Sequence, residues 1–241
     1  MNSSFYTTKD FSYSQGIFIE RPNRFIAFVK FNNTTIRCHV PDPGRLKEIL
    51  YPGVTVLLRF PLIKSSEKTD AGLIGVYVPD SDIWVSTDSQ LASRYIREEW
   101  KNLPIFKEYD QIQPEFTYGE SRLDFLLQKS INKSKCLIEV KTVGLKKKDN
   151  IGYFPDAPTK RGVKHVLELL KATKQDNYRS VITFFVPRSD VQEVRPNKEL
   201  DEKFYKAIKF ATESGVECIA LRYIFTPQGI RFDRQIPFNV D

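Results

Sequence analysis

The sequence predicts an α/β (α+β) protein in which a small N-terminal β-barrel precedes a mixed central sheet flanked by helices. Residues 1–85 hold several short apolar segments broken by turn residues, which are typical of a small barrel. From residue 86 onward, strand-like segments alternate with helix-like ones, a pattern typical of mixed architecture. With 41% hydrophobic residues in a chain of 241, both parts can bury a core. We therefore predict two domains, at residues 1–85 and 86–241.

The first domain is predicted to be an OB-like barrel. Asn32-Asn33 is a turn signal between two strand-like runs, so a hairpin is expected there. A short helix is expected at residues 45–50, between breaks at Pro41-Asp42-Pro43-Gly44 and Pro52-Gly53. The strands are predicted at residues 24–31, 34–40, 54–60 and 73–78.

The second domain is predicted to combine a sheet with three helices. The run Ser86-Thr87-Asp88-Ser89 can cap a helix over residues 90–100. Its inner face is predicted to contain Leu91, Tyr95 and Ile96, and Trp100 closes it. Helices at residues 159–172 and 201–213 follow from apolar residues at helical spacing, predicted to face inward as Val163, Val166, Leu167 and Leu170, and as Phe204, Ala207, Ile208 and Ala211. The strands are predicted at residues 112–118, 122–128, 136–142, 180–186, 216–221 and 230–236.

Three charged residues stand inside two of these apolar strands. Asp124 lies within Arg122-Leu123-Asp124-Phe125-Leu126-Leu127, and Glu139 and Lys141 lie within Leu137-Ile138-Glu139-Val140-Lys141. Charged side chains are rarely buried without a partner or a metal. Glu139 and Lys141 project to the same face because they are two residues apart on one strand. Asp124, on a neighbouring strand, can point to the same place.

Two carboxylates and an ammonium group on one face are the components of a magnesium-dependent phosphodiesterase site. In this interpretation Asp124 and Glu139 bind Mg²⁺ or Mn²⁺, and the Val140 carbonyl is available as a further ligand. Lys141 would orient the attacking water or stabilise charge on the phosphate. Glu115, on the preceding strand, is a candidate for a further ligand or for a carboxylate that orients the base.

The same residues permit a purely structural interpretation. A glutamate two residues before a lysine, in an apolar strand, is often a salt bridge on the solvated face of an edge strand. The motif is short and degenerate, so its spacing alone does not decide between a metal site and a salt bridge.

The net charge of +7 and the pI of about 9.2 favour a polyanionic partner, most simply DNA. RNA is an alternative, because OB-like barrels also bind RNA. Basic residues follow the charged strands closely and are expected to contact phosphates, with a solvated loop as the alternative. The candidates for nucleic-acid binding are Arg45, Lys146, Lys147, Lys148, Lys160, Arg161 and Lys164.

Three residues are candidates for supporting roles. Arg161 and His165 are four apart, on one face of the predicted helix, and are expected to reach the scissile phosphate. A satisfied surface histidine is an equal alternative for His165. Asp156 is expected to cap that helix, with a supporting role at the metal as the alternative.

Several other classes of protein are not supported. Cys38, Cys136 and Cys218 are widely spaced and the chain has only two histidines, so neither a zinc cluster nor a disulfide framework is expected. No segment approaches the roughly 20 apolar residues of a membrane span. The first residues lack the basic and then apolar pattern of a signal peptide. We therefore expect a cytoplasmic protein with no membrane association.

Several motifs, in the same order, resemble the sugar fermentation stimulation protein A family over nearly the whole chain. In the first half they are Arg21-Pro22-Asn23-Arg24-Phe25, His39-Val40-Pro41-Asp42-Pro43-Gly44-Arg45 and Tyr51-Pro52-Gly53. In the second half they are Tyr118-Gly119, Ser121-Arg122-Leu123-Asp124-Phe125-Leu126-Leu127, Ile138-Glu139-Val140-Lys141-Thr142-Val143, Phe154-Pro155-Asp156-Ala157, Thr159, Arg161-Gly162 and Lys164-His165.

The resemblance implies an N-terminal OB-like domain and a C-terminal restriction-endonuclease-like domain of the PD-(D/E)xK type. It also implies DNA binding with little sequence preference, and a role in regulating genes of sugar (maltose) metabolism. Asp124, Glu139 and Lys141 fall on the nuclease-type positions of the family. The chain departs from the family at Asp42-Pro43, where many members have Asn-Thr, and at Pro158, where an apolar residue is common.

Three hypotheses follow from these patterns. The first is a magnesium-dependent nuclease that acts on DNA or on a structured nucleic acid. The second is a catalytically silent DNA-binding regulator that uses the endonuclease-like domain only as a platform. The third is an RNA-binding accessory protein.

Overall fold

The computed structural model describes residues 5–8, 10–42, 44, 46–63, 68–175 and 178–241. The chain divides into two units, each with its own core. The first consists of Met1–Gln90, Pro187–Asp190 and Tyr223–Arg231, and the second of Leu91–Val186, Val191–Arg222 and Phe232–Asp241. The domain boundary at residue 86 stays a prediction. Within the described residues, no helix combines the length and the apolarity needed to cross a membrane.

Strands dominate both units. The strands are β1 (Phe11–Asn23), β2 (Ile26–Phe31), β3 (Thr34–His39), β4 (Thr55–Pro61), β5 (Ala71–Val78), β6 (Ile83–Ser86), β7 (Gln111–Tyr118), β8 (Ser121–Gln128), β9 (Lys135–Thr142), β10 (Leu145–Lys146), β11 (Ile151–Phe154), β12 (Arg179–Val186), β13 (Glu193–Pro196), β14 (Glu217–Thr226) and β15 (Gly229–Ile236). The α-helices are α1 (Leu91–Glu99), α2 (Lys160–Gln175) and α3 (Glu202–Glu213).

The first unit contains a closed five-stranded barrel, which confirms the prediction of an OB-like fold. β1 pairs with both β2 and β4, β2 pairs with β3, and β4 pairs with β5. A short parallel pairing of β3 with β5, from Cys38 to Ala71, closes the ring. The predicted hairpin between β2 and β3 is confirmed. Asn32 and Asn33 have φ values of 46° and 65°, the left-handed conformation that two-residue hairpin turns require.

The first unit also differs from the prediction. Neither the long strand β1 nor the short strand β6 was predicted. In β1, polar residues and Gly16 stand among the apolar residues, so the strand lacks a clean alternation. The helix expected at residues 45–50 is wrong over its described part. Leu46 has a left-handed φ of 54°, which a helix cannot continue through, and residues 46–50 form a turn. Leu50 N–H closes this turn onto the Leu46 carbonyl at 2.7 Å.

The second unit is built on the predicted mixed sheet, in the order β7-β8-β9-β12-β14. Strands β7, β8 and β9 pair antiparallel, whereas β9, β12 and β14 pair parallel. The parallel pairs need crossover connections, which α2 and α3 provide. Both helices pack one apolar face against the sheet, where Leu126, Leu137, Ile182 and Phe184 contribute to one core. A small second sheet has the order β10-β11-β13.

The helices form where the sequence predicted them, but α2 is rotated. The inner faces of α1 and α3 are confirmed by the burial of Leu91, Tyr95, Ile96, Phe204, Ile208 and Ala211. In α2 the prediction for Leu167 is wrong, because 48% of this residue is exposed. Apolar residues occur around much of α2, so two rotations fit its pattern. The rotation that forms buries Leu169 and also His165.

Candidate functional site

The three charged residues of the predicted site meet where β8 and β9 lie side by side. Phe125 of β8 pairs with Ile138 of β9, and the next position of the two antiparallel strands holds Asp124 and Glu139. The backbone ladder is altered here, because Val140 N–H donates to Asp124 Oδ2 at 2.7 Å. The two strands therefore bring together one carboxylate from each, in agreement with the expectation that Asp124 can point to the same place as Glu139.

Glu139 lies at the centre of this cluster and is only 3% exposed. Its Oε1 accepts a hydrogen bond from Lys141 Nζ at 2.6 Å and also contacts His165 Nδ1. Its Oε2 is buried and has no hydrogen-bond partner within the described residues. A buried carboxylate oxygen without a partner is costly, so its environment is incomplete without a further positive or donating group.

The two carboxylates respond differently to burial. Burial raises the pKa of Asp124 to about 6, and the negative charge of Glu139 adds to this rise, against the opposing hydrogen bond from Val140 and the charge of Lys141. Burial also acts to raise the pKa of Glu139, but the hydrogen bond from His165 and the charge of Lys141 outweigh it and lower that pKa. Glu139 is therefore held as the anion, with Asp124 as the carboxylate that protonates more readily.

Helix α2 contributes Arg161 and His165. His165 is buried, so the alternative of a surface histidine is wrong, and its ring lies against Glu139. Arg161 Nε–H donates to His165 Nε2 at 3.3 Å. The sequence predicted that Arg161 and His165 share one face of the helix, but it did not predict the contact of His165 with Glu139. That contact joins residues 26 positions apart and depends on the rotation of α2.

The start of α2 is fixed by residues other than the predicted cap. Thr159 Oγ1 accepts from Gly162 N–H at 2.9 Å, and Thr159 N–H donates to Asp201 Oδ2 at 2.8 Å. The assignment of Asp156 as the cap is therefore wrong, and Asp156 is exposed. The first turn of α2 is tied to the N-cap residue of α3, because Asp201 Oδ1 also accepts from Phe204 N–H.

Glu115, the remaining acidic candidate, lies on β7 in a different environment. Its side chain is 63% exposed and pairs with Arg122 at 3.7 Å. It has a positive φ of 55° and stands opposite Asp124 in the β7–β8 ladder, whose register is the same at Pro114–Phe125 and at Phe116–Leu123. Its environment is thus unlike that of the buried carboxylates Asp124 and Glu139.

The basic candidates are distributed over several elements. Lys147 pairs with Glu199 at 3.1 Å, and Lys146 contacts Asn150 at 3.2 Å. Arg45 lies outside the described residues, as does the side chain of Lys148. On the outer face of α2, Lys160 and Lys164 line a shallow groove with Val163, Leu167, Glu168 and Lys171. Lys171 was missed, although its position two turns after Lys164 would have identified it.

Comparisons with known proteins agree with this fold and motif order. The model of the sugar fermentation stimulation protein RE domain matches residues 86–229, and that of the SfsA N-terminal OB domain matches residues 19–87. A sugar fermentation stimulation protein homolog from Alkaliphilus metalliredigens is 41% identical over 226 residues, which cover 92% of this chain and 94% of that protein. One from Clostridium botulinum is 39% identical over 225 residues, covering 92% of this chain and 95% of that protein.

A solved structure is similar over nearly the whole length. It is that of Pyrococcus furiosus SfsA in complex with Ca²⁺, which is 27% identical to this chain. The match covers 98% of this chain and 99% of the other, with a TM-score of 0.82. The restriction-endonuclease-type and OB-type domains, the motif order and these similarities have one explanation: the chain belongs to the sugar fermentation stimulation protein (SfsA) family.

Proposed function

We propose that this protein binds DNA with little sequence preference and that Asp124, Glu139 and Lys141 form a divalent-metal-dependent site for phosphodiester hydrolysis. The observation that carries the proposal is the buried, unpartnered Oε2 of Glu139. It belongs to a carboxylate that Lys141 and His165 keep ionised, and Asp124 lies on the adjacent strand. A cation would meet both carboxylates and relieve their mutual repulsion.

The donor set fits a hard divalent cation. Asp124 and Glu139 would hold it, and Mg²⁺ is commonly bound by one or two carboxylates with water completing its coordination. Within the described residues, no group of three or more His, Cys, Asp or Glu side chains could hold a metal, which argues against a cage made of side chains alone. The Ca²⁺ complex of the Pyrococcus furiosus relative supports a cation that prefers oxygen ligands. When bound, such an ion neutralises phosphate charge and lowers the pKa of a bound water.

The remaining roles belong to groups of the chain itself. Lys141 is held by Glu139 Oε1 and is 14% exposed, so its ammonium group can stabilise negative charge on a phosphate at the site. Lys160, Lys164 and Lys171 on α2 provide positive charge for the phosphates of the backbone, which carry no sequence information. This division between the site and the basic face agrees with binding of low sequence preference.

Cleavage assays on the whole chain test the catalytic part of the proposal. We expect cutting of duplex, single-stranded or branched DNA with Mg²⁺ or Mn²⁺. Glu139→Gln or Lys141→Ala should slow cutting by about 100-fold or more while DNA binding persists. The matched control is Glu213→Gln, because Glu213 is an exposed carboxylate at the end of α3. A wild-type protein that leaves every substrate uncut with both metals would contradict a nuclease.

A salt series tests the DNA-binding part separately. The logarithm of the affinity should fall linearly with the logarithm of the salt concentration, because phosphate contacts release counterions. Lys160→Ala and Lys164→Ala should each reduce this slope by about 1. The control is Lys206→Ala on α3, because Lys206 pairs with a glutamate, Glu202, as Lys164 pairs with Glu120, but does not line the groove on α2. An affinity that is indifferent to salt would contradict phosphate-driven binding.

One observation favours a second candidate, a catalytically silent DNA-binding regulator of sugar (maltose) metabolism genes. Glu139, Lys141 and His165 form a connected set of hydrogen bonds within the chain, which is also how a salt-bridged strand is stabilised. Binding without cleavage in the assays above would favour this function. An RNA-binding accessory protein would instead prefer the RNA strand in competition between matched DNA and RNA.

A further inference from the structure

We propose that His165 is a positioning residue for Glu139, and that Arg161 holds the ring of His165 in place through its other nitrogen. The inference rests on the proposed metal site and assigns the two α2 residues a role within it. Neither residue is then required to touch the substrate. His165 would act only through Glu139, and Arg161 only through His165.

The hydrogen bonds define the orientation of the Glu139 carboxylate. Oε1 receives two donors, Lys141 Nζ and His165 Nδ1, from different elements. Two donors on one oxygen fix the rotation of the carboxylate plane more tightly than one. They leave the other oxygen, Oε2, buried and without a hydrogen bond in the described part of the chain. Among the described residues, His165 thereby leaves the unpartnered oxygen of the Glu139 carboxylate facing the site.

The tautomer of His165 follows from its two partners, because the Glu139 carboxylate can only accept and the Arg161 guanidinium can only donate. A guanidinium N–H can only donate, so His165 Nε2, which receives Arg161 Nε–H at 3.3 Å, must be the unprotonated nitrogen. The ring proton of the neutral imidazole is then on Nδ1, where it is donated to Glu139. The ionised Glu139 carboxylate can only accept, so it holds this proton on Nδ1 from one side, while Arg161 donates to Nε2 from the other. A proton on Nε2 would instead set the lone pair of Nδ1 against the carboxylate.

Helix α2 is held in the register that this arrangement requires. Arg161 and His165 are one turn apart, and they follow directly from the capped first turn at Thr159. Thr159 is in turn bonded to Asp201 at the start of α3. The ring of His165 is buried among its neighbours, which limits its rotation. Supporting residues that orient metal ligands are typically worth about 10–100-fold in metal affinity.

Nitrogen-15 NMR of the metal-free wild-type chain tests the tautomer directly. The chain has two histidines, and His39 is exposed and lies in the first unit, so it serves as the internal reference. At neutral pH we expect His165 to show a protonated Nδ1 and an unprotonated Nε2. In Arg161→Ala, as in Lys171→Ala on the same helix, the proton should stay on Nδ1, because Glu139 still accepts it. An unprotonated Nδ1 in the wild type would overturn the inference, and a doubly protonated ring would contradict the Arg161 contact within it.

Calorimetric titration of the whole chain with Mn²⁺ tests the positioning role without relying on activity. His165→Ala should weaken Mn²⁺ binding by about 10–100-fold. His165→Asn should recover part of the loss because its amide can donate to Glu139, and His39→Ala should bind as the wild type does. Circular dichroism checks that each variant is folded. If the wild type binds Mn²⁺ and both His165 variants bind equally well, the positioning role is wrong while the proposed metal site stands. If the wild type itself binds no Mn²⁺, the proposed metal site is wrong. The role of His165 in positioning a metal ligand is then also wrong, whichever tautomer NMR finds.

Discussion

Arg222 is a buried charge, and each of its three guanidinium nitrogens has an acceptor. It is 5% exposed, and its Nε donates to Asp233 Oδ2 at 2.7 Å. A second guanidinium nitrogen donates to the Val191 carbonyl at 3.0 Å and to Gln192 Oε1 at 3.1 Å. A single side chain thus holds β14, β15 and the loop before β13 together. Such a planar fork is a geometry that a lysine cannot reproduce.

We predict that Arg222→Ala lowers the free energy of unfolding by about 3–5 kcal/mol, because it removes the main partner of the Asp233 carboxylate, whose side chain is only 15% exposed. Arg222→Lys should lose less, since it keeps the charge but not the fork. The matched control is Arg234→Ala, which removes an exposed partner of the same carboxylate and should cost about 1 kcal/mol or less. Urea denaturation provides the measurement. Equal losses in the two alanine variants would show that Arg222 is not the anchor.

At the scale of elements, the barrel of the first unit depends on a close approach at Gly16 in β1. A Cβ at this position would lie 2.6 Å from Val29 Cγ1 and 3.1 Å from the Lys30 carbonyl. Neither neighbour moves easily, because valine is stiff at χ1 and the carbonyl belongs to a paired strand. Gly72 in β5 differs, since its Cβ would meet only ordinary contacts, the nearest being Ile74 Cγ2 at 3.7 Å.

We predict that Gly16→Ala destabilises the barrel by about 1–3 kcal/mol through overpacking. Gly72→Ala is the matched control in the same barrel, and it should be neutral or stabilising by up to about 1 kcal/mol because alanine restricts the unfolded chain. Denaturation followed by Trp84 fluorescence, in a Trp100→Phe background, reports on the first unit. A Gly16→Ala variant as stable as Gly72→Ala would refute the close approach.

Elements with a strong local pattern could be predicted from the sequence, whereas those fixed by distant contacts could not. Strands β8 and β9 are continuous apolar runs, and their two-residue period places Glu139 and Lys141 on one face. For α2 the location could be predicted but the rotation could not, because packing against the sheet selects among its apolar faces. The burial of His165 and its contact with Glu139 depend on that rotation, so the sequence revealed the carboxylates of the candidate site but not its imidazole.

At the scale of the whole molecule, the two units are interleaved along the chain. Tyr223–Arg231 belongs to the first unit but is flanked on both sides by segments of the second, Val191–Arg222 and Phe232–Asp241. Within the first unit, Phe225 pairs with Trp84 and is buried. When the second unit unfolds, both ends of this segment are released, and returning it to the first unit carries the entropic cost of closing a long loop.

We therefore predict that the two units unfold together. The chain has two tryptophans, Trp84 in the first unit and Trp100 in the second, so Trp100→Phe and Trp84→Phe variants each report on one unit. Their urea midpoints should coincide, as they do in a cooperative transition. Adding Arg222→Ala, which lies in the second unit, should lower the midpoint reported by Trp84 as much as that reported by Trp100. If the Trp84 midpoint instead stays unchanged, the first unit is stable without the anchoring of Tyr223–Arg231, and the interleaved segment is dispensable for its fold.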